Sequence, residues 1–334
     1  VERRRVARIE AREAEKQQRE VTERALAALR ERARLRYREA PRAVQAGPDF
    51  ICIGMQKAGT IWLYDQIGNH PDIWQPPIKE LHALTSNPTE RTVAGFMRRH
   101  DADPDRLNEQ RIERGRRTLD EADVAFVRTL ATMTDKPPRL DAYAELFAAK
   151  RERLSGDITP GYSSLNVETI KTVAETFPET RIVFLAREPV DRAWSYVSMN
   201  VRRKTSDRDA TVRIDDWSSL EAMFAERKTS IRSHPSAIVR RWQPHFGDRF
   251  GLFFFDDLRD DAHGLRRRVG AFIGVDPGRF EDLPAEHNRK SARKKVEMSD
   301  EIRERLVAHF AREIRRSAEE LGGRAREWPA RYGL

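Results

Sequence analysis

The sequence contains a single cysteine, Cys52, among 334 residues. One thiol excludes an intramolecular disulfide framework and any multi-cysteine zinc or iron–sulfur centre. Apolar residues make up 39%, below the ~45–50% usual in globular domains. No run approaches the roughly 18 apolar residues that a membrane span requires. The first residues are charged throughout and lack the apolar stretch of a secretory signal, so the expected location is cytoplasmic. Disorder throughout is nevertheless excluded by three clean apolar runs, FICIG at 50–54, RIVFLA at 181–186 and FGLFFF at 250–255. Charge, by contrast, is abundant. There are 63 Lys+Arg against 54 Asp+Glu, a net +9 that favours anionic ligands but is spread through a chain rich in both signs.

At roughly 150 residues per domain, the length allows one large domain or two small ones. Residues 1–45 read as a charged helical arm, rich in Ala, Arg and Glu and free of Gly. Such a polar helix builds no core alone. It is a solvated face or a surface for pairing with a second copy, and its interleaved acids count against a nucleic-acid or membrane arm. Pro41 and Gly47-Pro48 end it.

The remaining chain, 48–334, reads as one domain of alternating strands and helices. Buried strands are expected at 50–53, 181–186 and 250–255, and a loop at 156–162. Helices are expected at 60–69, 167–177, 189–203, 218–245, 257–274 and 299–321. Residues 88–150 form a highly charged helical insertion, with Val93, Phe96, Met97 and Tyr143, Leu146, Phe147 at helical spacing. Strand–helix alternation implies an α/β fold with a central parallel sheet flanked by helices.

The strongest local signal is Gly54-Met-Gln-Lys57-Ala58-Gly59-Thr60, set between a strand and a helix. A glycine turn of this kind points backbone N–H groups and a helix N-terminus at a phosphate. It differs from the loop of a nucleoside triphosphatase. Lys57 lies inside the loop, Thr60 stands where such loops have their Lys, and Ile61 offers no hydroxyl where they bind magnesium. The expected ligand is a phosphate-like group handled without a metal. Asp101, Asp103 and Asp105 alternate as in a calcium loop, but Gly is missing at the sixth position and Glu at the twelfth, so no metal is expected there either.

The second signal is Arg181-Ile-Val-Phe-Leu-Ala-Arg187-Glu-Pro-Val-Asp-Arg192-Ala-Trp-Ser195. Arg187 leaves a strand end and can grip a phosphate with two parallel hydrogen bonds, while Ser195 on the next helix adds a hydroxyl. Together, GMQKAGTIWLYDQIGNHPDIWQPPIKELHAL and this segment resemble the sulfotransferases that use 3′-phosphoadenosine 5′-phosphosulfate (PAPS), especially the carbohydrate-type and bacterial ones. The first segment resembles their 5′-phosphosulfate loop and the second their 3′-phosphate motif. Weaker marks at 156–162, at Phe255-Asp-Asp-Leu258 with Ala271-Phe-Ile-Gly274, at His287-Asn288 and at Gly322 with Trp328 extend the resemblance over about 48–330. The chain departs from the family pattern at Ile61, where a second Thr is usual.

The resemblance implies PAPS as co-substrate, no metal, and transfer of a sulfuryl group to a hydroxyl of a small-molecule or glycan acceptor. It implies nucleotide contacts from Gly54, Lys57, Ala58, Gly59, Thr60, Ile61, Trp62, Arg187, Ser195 and Lys290. Lys57 stands where it could neutralise charge on the leaving oxygen. Glu80, in Lys79-Glu80, matches the base of carbohydrate-type members; His82 competes as the base of the small-molecule branch, and a third reading gives the role to neither. The run 289–295 is either a loop that closes over an anion or a solvated one. Two other readings stand beside the enzyme: a P-loop kinase, against which the missing Lys-Ser/Thr pair counts, and a basic scaffold or nucleic-acid binder, which leaves Arg187 and Ser195 unexplained.

Overall fold

Strands buried on both faces must be apolar nearly throughout, and the runs at 50–54 and 181–186 meet that demand. The computed structural model describes residues 47–85, 90–132, 140–204, 213–214, 216–280 and 296–334. The arm 1–45, His287, Asn288 and the run 289–295 with Lys290 lie outside the described residues. The strands are β1 (Phe50–Gly54), β2 (Gly156–Ile158), β3 (Arg181–Ala186), β4 (Arg213–Ile214), β5 (Phe250–Phe254) and β6 (Glu297–Met298). The helices up to residue 176 are α1 (Thr60–Ile67), α2 (Glu90–Ala102), α3 (Pro104–Ile112), α4 (Glu121–Thr132), α5 (Leu140–Leu146) and α6 (Val167–Thr176). Then come α7 (Pro189–Lys204), α8 (Trp217–Ala225), α9 (Arg227–Ile231), α10 (Pro235–Phe246), α11 (Phe255–Asp260), α12 (Ala262–Ile273) and α13 (Asp300–Leu321).

The central sheet has the order β2-β1-β3-β5 and is parallel throughout. From β1 the chain moves to one side for β2, then crosses to the other for β3. The carboxyl ends of strands on either side of such a reversal open a crevice where α/β proteins place ligands. β4 and β6 form a separate parallel pair.

Three sequence expectations are corrected. Residues 156–158 are an edge strand rather than loop, because Phe50 pairs with Gly156 and Cys52 with Ile158. Gly and Asp have poor strand propensity, so only the tertiary pairing makes this a strand. The helix expected over 218–245 is three helices, with Pro235 opening the last at its first turn. The helix expected over 257–274 is two, because Asp261 accepts from the Gly264 N–H at 2.8 Å and caps a new start.

Gly156 is required by close approach. A Cβ there would lie 2.4 Å from the Phe50 carbonyl oxygen and 2.5 Å from its ring. Gly156→Ala should therefore force β2 off β1 and cost about 3 kcal/mol. A melting experiment should show Tm lower by roughly 6 °C or more; an unchanged Tm would remove the close-packing argument.

The charged helical region that begins with α2 docks through buried carboxylates. Arg116 Nε donates to Asp65 on α1 at 2.6 Å, and Trp74 Nε1 to Asp123 at 3.2 Å, with Arg117 completing the Asp123 pair. At the other end, Trp328 is fully buried and donates to Asp256 at 3.1 Å. The C-terminal segment is thus fastened just beyond β5.

Candidate active site

The site forms where four strands end side by side. The glycine loop follows β1, Thr159-Pro160-Gly161 follows β2, Arg187 follows β3 and Phe255 follows β5. Gly54 has φ 126° and Gly59 φ 86°, conformations that favour glycine. At Gly59 a Cβ would also lie 2.6 Å from Leu258 Cδ2. Gly59 opens α1 with no side-chain cap on the helix start. Its first turn therefore presents backbone N–H groups and the positive end of the helix dipole. Thr60 and Trp62 are buried, whereas the side chain of Ile61 is 46% exposed.

Arg187 joins the two sequence motifs. Its Nη1 donates to the Lys57 carbonyl at 2.6 Å, and its guanidinium lies over the Phe255 ring at 4.1 Å from the centroid. Its Nε is buried with no partner. Burial lowers its pKa from the ordinary arginine value, and Arg259 adds to this against the pull of Asp191. An arginine remains charged regardless, so the shift records a desolvation cost that a bound anion would relieve. Ser195 sits half-buried on α7, two turns beyond Arg187. Family-like marks at Phe255 and Leu258 gain a physical meaning here: one ring backs Arg187 and one side chain backs Gly59.

Lys79, Glu80 and His82 lie on the loop that packs against the turn after β2. Lys79 Nζ donates to Glu80 Oε1 at 2.7 Å, and His82 Nε2 stands 3.5 Å from Glu80 Oε2. Lys57, Glu80 and His82 all have positive φ, at 72°, 65° and 53°. For residues with a Cβ that conformation is strained, and such strain gathers at functional sites. The turn after β2 touches both the glycine loop and the His82 loop. A Cβ on Gly54 would sit 3.1 Å from the Pro160 carbonyl oxygen, and one on Gly161 would sit 3.1 Å from His82 Cε1.

Sequence reasoning missed what holds that turn. Asp157 is buried and accepts from Thr159 Oγ1 at 2.6 Å, Tyr162 OH at 2.7 Å and Tyr143 OH at 3.1 Å. Burial raises its pKa against the opposing pull of those hydroxyls. Tyr162 OH also receives the Leu84 N–H at 3.3 Å, which ties the His82 loop to the same network. The only sequence signal was an acid among the small and polar residues of GDITPGY.

Glu188, beside Arg187, is a second missed group. It accepts from the N–H groups of Val190 and Asp191 and from Tyr332 OH, at 2.7–2.9 Å. Burial pushes its pKa up from 4.5 to about 7, despite those donors. A raised carboxyl pKa means that folding favours the protonated form. Its stabilising contribution is complete below pH 4.5 and is lost as pH rises through about 7. Glu188→Gln should flatten the wild-type fall in Tm between pH 5 and 8, relative to a parallel wild-type titration. Identical slopes would show that the carboxyl is ionised throughout.

A model described as the sulfotransferase family matches residues 48–282. A sulfotransferase from Alicyclobacillus acidocaldarius is 22% identical over 82% of this chain and 96% of that one, with a TM-score of 0.53. The sulfotransferase domain of the Synechococcus PCC 7002 olefin synthase is 18% identical over 82% and 98%, with a TM-score of 0.44. Mouse sulfotransferase SULT7A1, solved in complex with PAP, is 13% identical over 86% and 90%, with a TM-score of 0.43. No curated protein matches the chain. Among the described residues no helix is long and apolar enough to cross a membrane.

Proposed function

The chain belongs to the sulfotransferase family, and from that premise we propose that it is a PAPS-dependent enzyme acting on a hydroxyl acceptor, a glycan, glycolipid or other alcohol. The observation that carries the nucleotide assignment is the contact between Arg187 and the Lys57 carbonyl beside an uncapped helix start. Two anion-seeking features meet there, and the Arg187 Nε is buried without a partner. This donor set fits a nucleotide with phosphates at two ends.

In this reading the backbone from Gly54 to Trp62 and the Lys57 ammonium hold the 5′ end, while Arg187, Ser195 and Lys290 hold the 3′-phosphate. Bound there, PAPS supplies a sulfuryl group whose bond to the 5′-phosphate oxygen breaks as a bond to the acceptor oxygen forms. Lys57 balances charge that grows on the departing side. Glu80 takes the acceptor's proton, and Lys79 and His82 fix the carboxylate's orientation. Ile61 offers no oxygen to a magnesium ion, so the residues themselves carry the charge balance. The His82 loop frames the acceptor side.

Thermal shift separates the readings. PAP should stabilise the protein strongly, ATP with magnesium much less, and duplex DNA not at all. Adenosine 5′-phosphosulfate lacks the 3′-phosphate and should bind roughly 10–100-fold more weakly than PAPS, the value of about 1.5–3 kcal/mol for a charged hydrogen bond. Arg187→Gln should erase most of that difference. Equal affinities in the wild type would remove the 3′-phosphate assignment, and magnesium-dependent ATP binding would favour the kinase reading.

A further inference from the structure

Arg187 is accounted for by the nucleotide, but it begins a row of three arginines. Arg192, in the first turn of α7, is only 1% exposed. Its Nη2 donates to Ser233 Oγ at 2.6 Å, Ser233 Oγ donates onward to the Thr229 carbonyl at 2.6 Å, and its Nε is buried with no partner. Next comes Arg232, whose Nε is also buried without a partner. Neither Arg192 nor Arg232 pairs with a carboxylate among the described residues. Burial pulls the Arg192 guanidinium down to about 10, with the like charges of Arg187 and Arg232 adding to it.

The far end of this row reaches the acceptor wall. The point that a Cβ on Gly161 would occupy lies 3.1 Å from His82 Cε1 and 3.7 Å from Arg232 Nη2. Arg232 and His82 therefore both stand against Gly161, where a glycine leaves room that a side chain would fill. A sheltered cation is stabilised by an anion that it can grip through its planar fork. Arg192, fixed by Ser233, stands behind and adds field of the same sign.

We propose that the acceptor is an alcohol that itself carries an oxyanion, a carboxylate or a sulfate or phosphate ester, and that Arg232 reads that group beside the reacting hydroxyl. This rests on the sulfotransferase reading of the site and narrows its substrate class. A neutral alcohol would leave the buried Arg192 and the half-buried Arg232 without a protein counter-charge. A carboxylate on Arg232 would instead hold the acceptor against the Glu80–His82 wall.

Equilibrium binding tests this without turnover. Calorimetry on the full chain, with and without saturating PAP, would use two matched pairs of probes: 4-nitrophenyl β-glucuronide against the corresponding glucoside, and glucose 6-sulfate against glucose. The charged member of at least one pair should bind at least about tenfold more tightly at low salt, the lower end for one charged hydrogen bond. Arg232→Gln should bring that ratio to within about threefold while PAP affinity stays at the wild-type value, and Arg232→Lys should restore part of it. Equal binding within both pairs, failure of both charged probes to bind, or a preference that survives Arg232→Gln overturns the proposal. PAP thermal shifts on the same samples keep two failures apart. A missing PAP shift removes the nucleotide reading, and this inference with it. A normal PAP shift without charge preference removes this inference alone.

Discussion

Glu80→Gln should lower turnover roughly 10²–10⁴-fold at saturating PAPS, with Tm and PAP affinity near wild type. The amide keeps the shape of the carboxylate and can still accept from Lys79, but it cannot take a proton. Burial pushes the Glu80 carboxyl up, yet the hydrogen bond with His82 and the charge of Lys79 outweigh it and hold the group at about 2. The side chain is 44% exposed, so an approaching acceptor can reach it. It is therefore ionised across the working range, and Glu80 contributes no acid limb to the rate above about pH 4. A base this weak suffices only if the acceptor's proton becomes acidic as its oxygen bonds to sulfur. His82→Ala should act more mildly, and with a definite sign. Removing that hydrogen bond lets the Glu80 pKa rise towards its ordinary 4.5, so any acid limb should move upward. The pair of variants is decisive. An active Glu80→Gln enzyme beside a dead His82→Ala enzyme would make His82 the base and Glu80 its positioning partner.

Much of this site was legible because it is local. The loop 54–60 joins one strand to one helix, and Arg187 follows directly on β3, so short segments carry their own geometry. Legibility fails where tertiary pairing decides. Gly156-Asp157-Ile158 has the composition of a loop and becomes a strand only because Phe50 offers it an edge. Arg232 belongs to no motif. It reaches Gly161 because the helical stretch breaks before Pro235, a break that a periodicity reading over 218–245 smooths away. Glu188 and Tyr332 are hydrogen-bonded across 144 residues, a separation at which no spacing rule operates. The charged region 88–150 was legible as helices, but not its attachment, because no spacing rule marks the pairing of Arg116 with Asp65 and of Arg117 with Asp123 at the seam.

Lys57→Ala should reduce kcat by roughly 10²–10³-fold while PAP affinity changes less than about tenfold, the pattern of an interaction that strengthens in the transition state. The loop itself gives reason to expect this split. Arg187 binds the backbone carbonyl of Lys57, not its side chain, so that link between the loop and Arg187 survives truncation. Alanine and lysine bear the same Cβ at φ 72°, so the substitution leaves the backbone strain nearly unchanged. Lys57→Gly supplies the control. Glycine adopts that φ without penalty, so it removes the ammonium and relieves the strain together. The two variants should therefore share one kcat and differ in Tm. Should both lose PAP affinity in proportion to kcat/KM, Lys57 would be a ground-state phosphate ligand. Should Gly retain turnover that Ala loses, backbone conformation at residue 57, and not its charge, would control the rate.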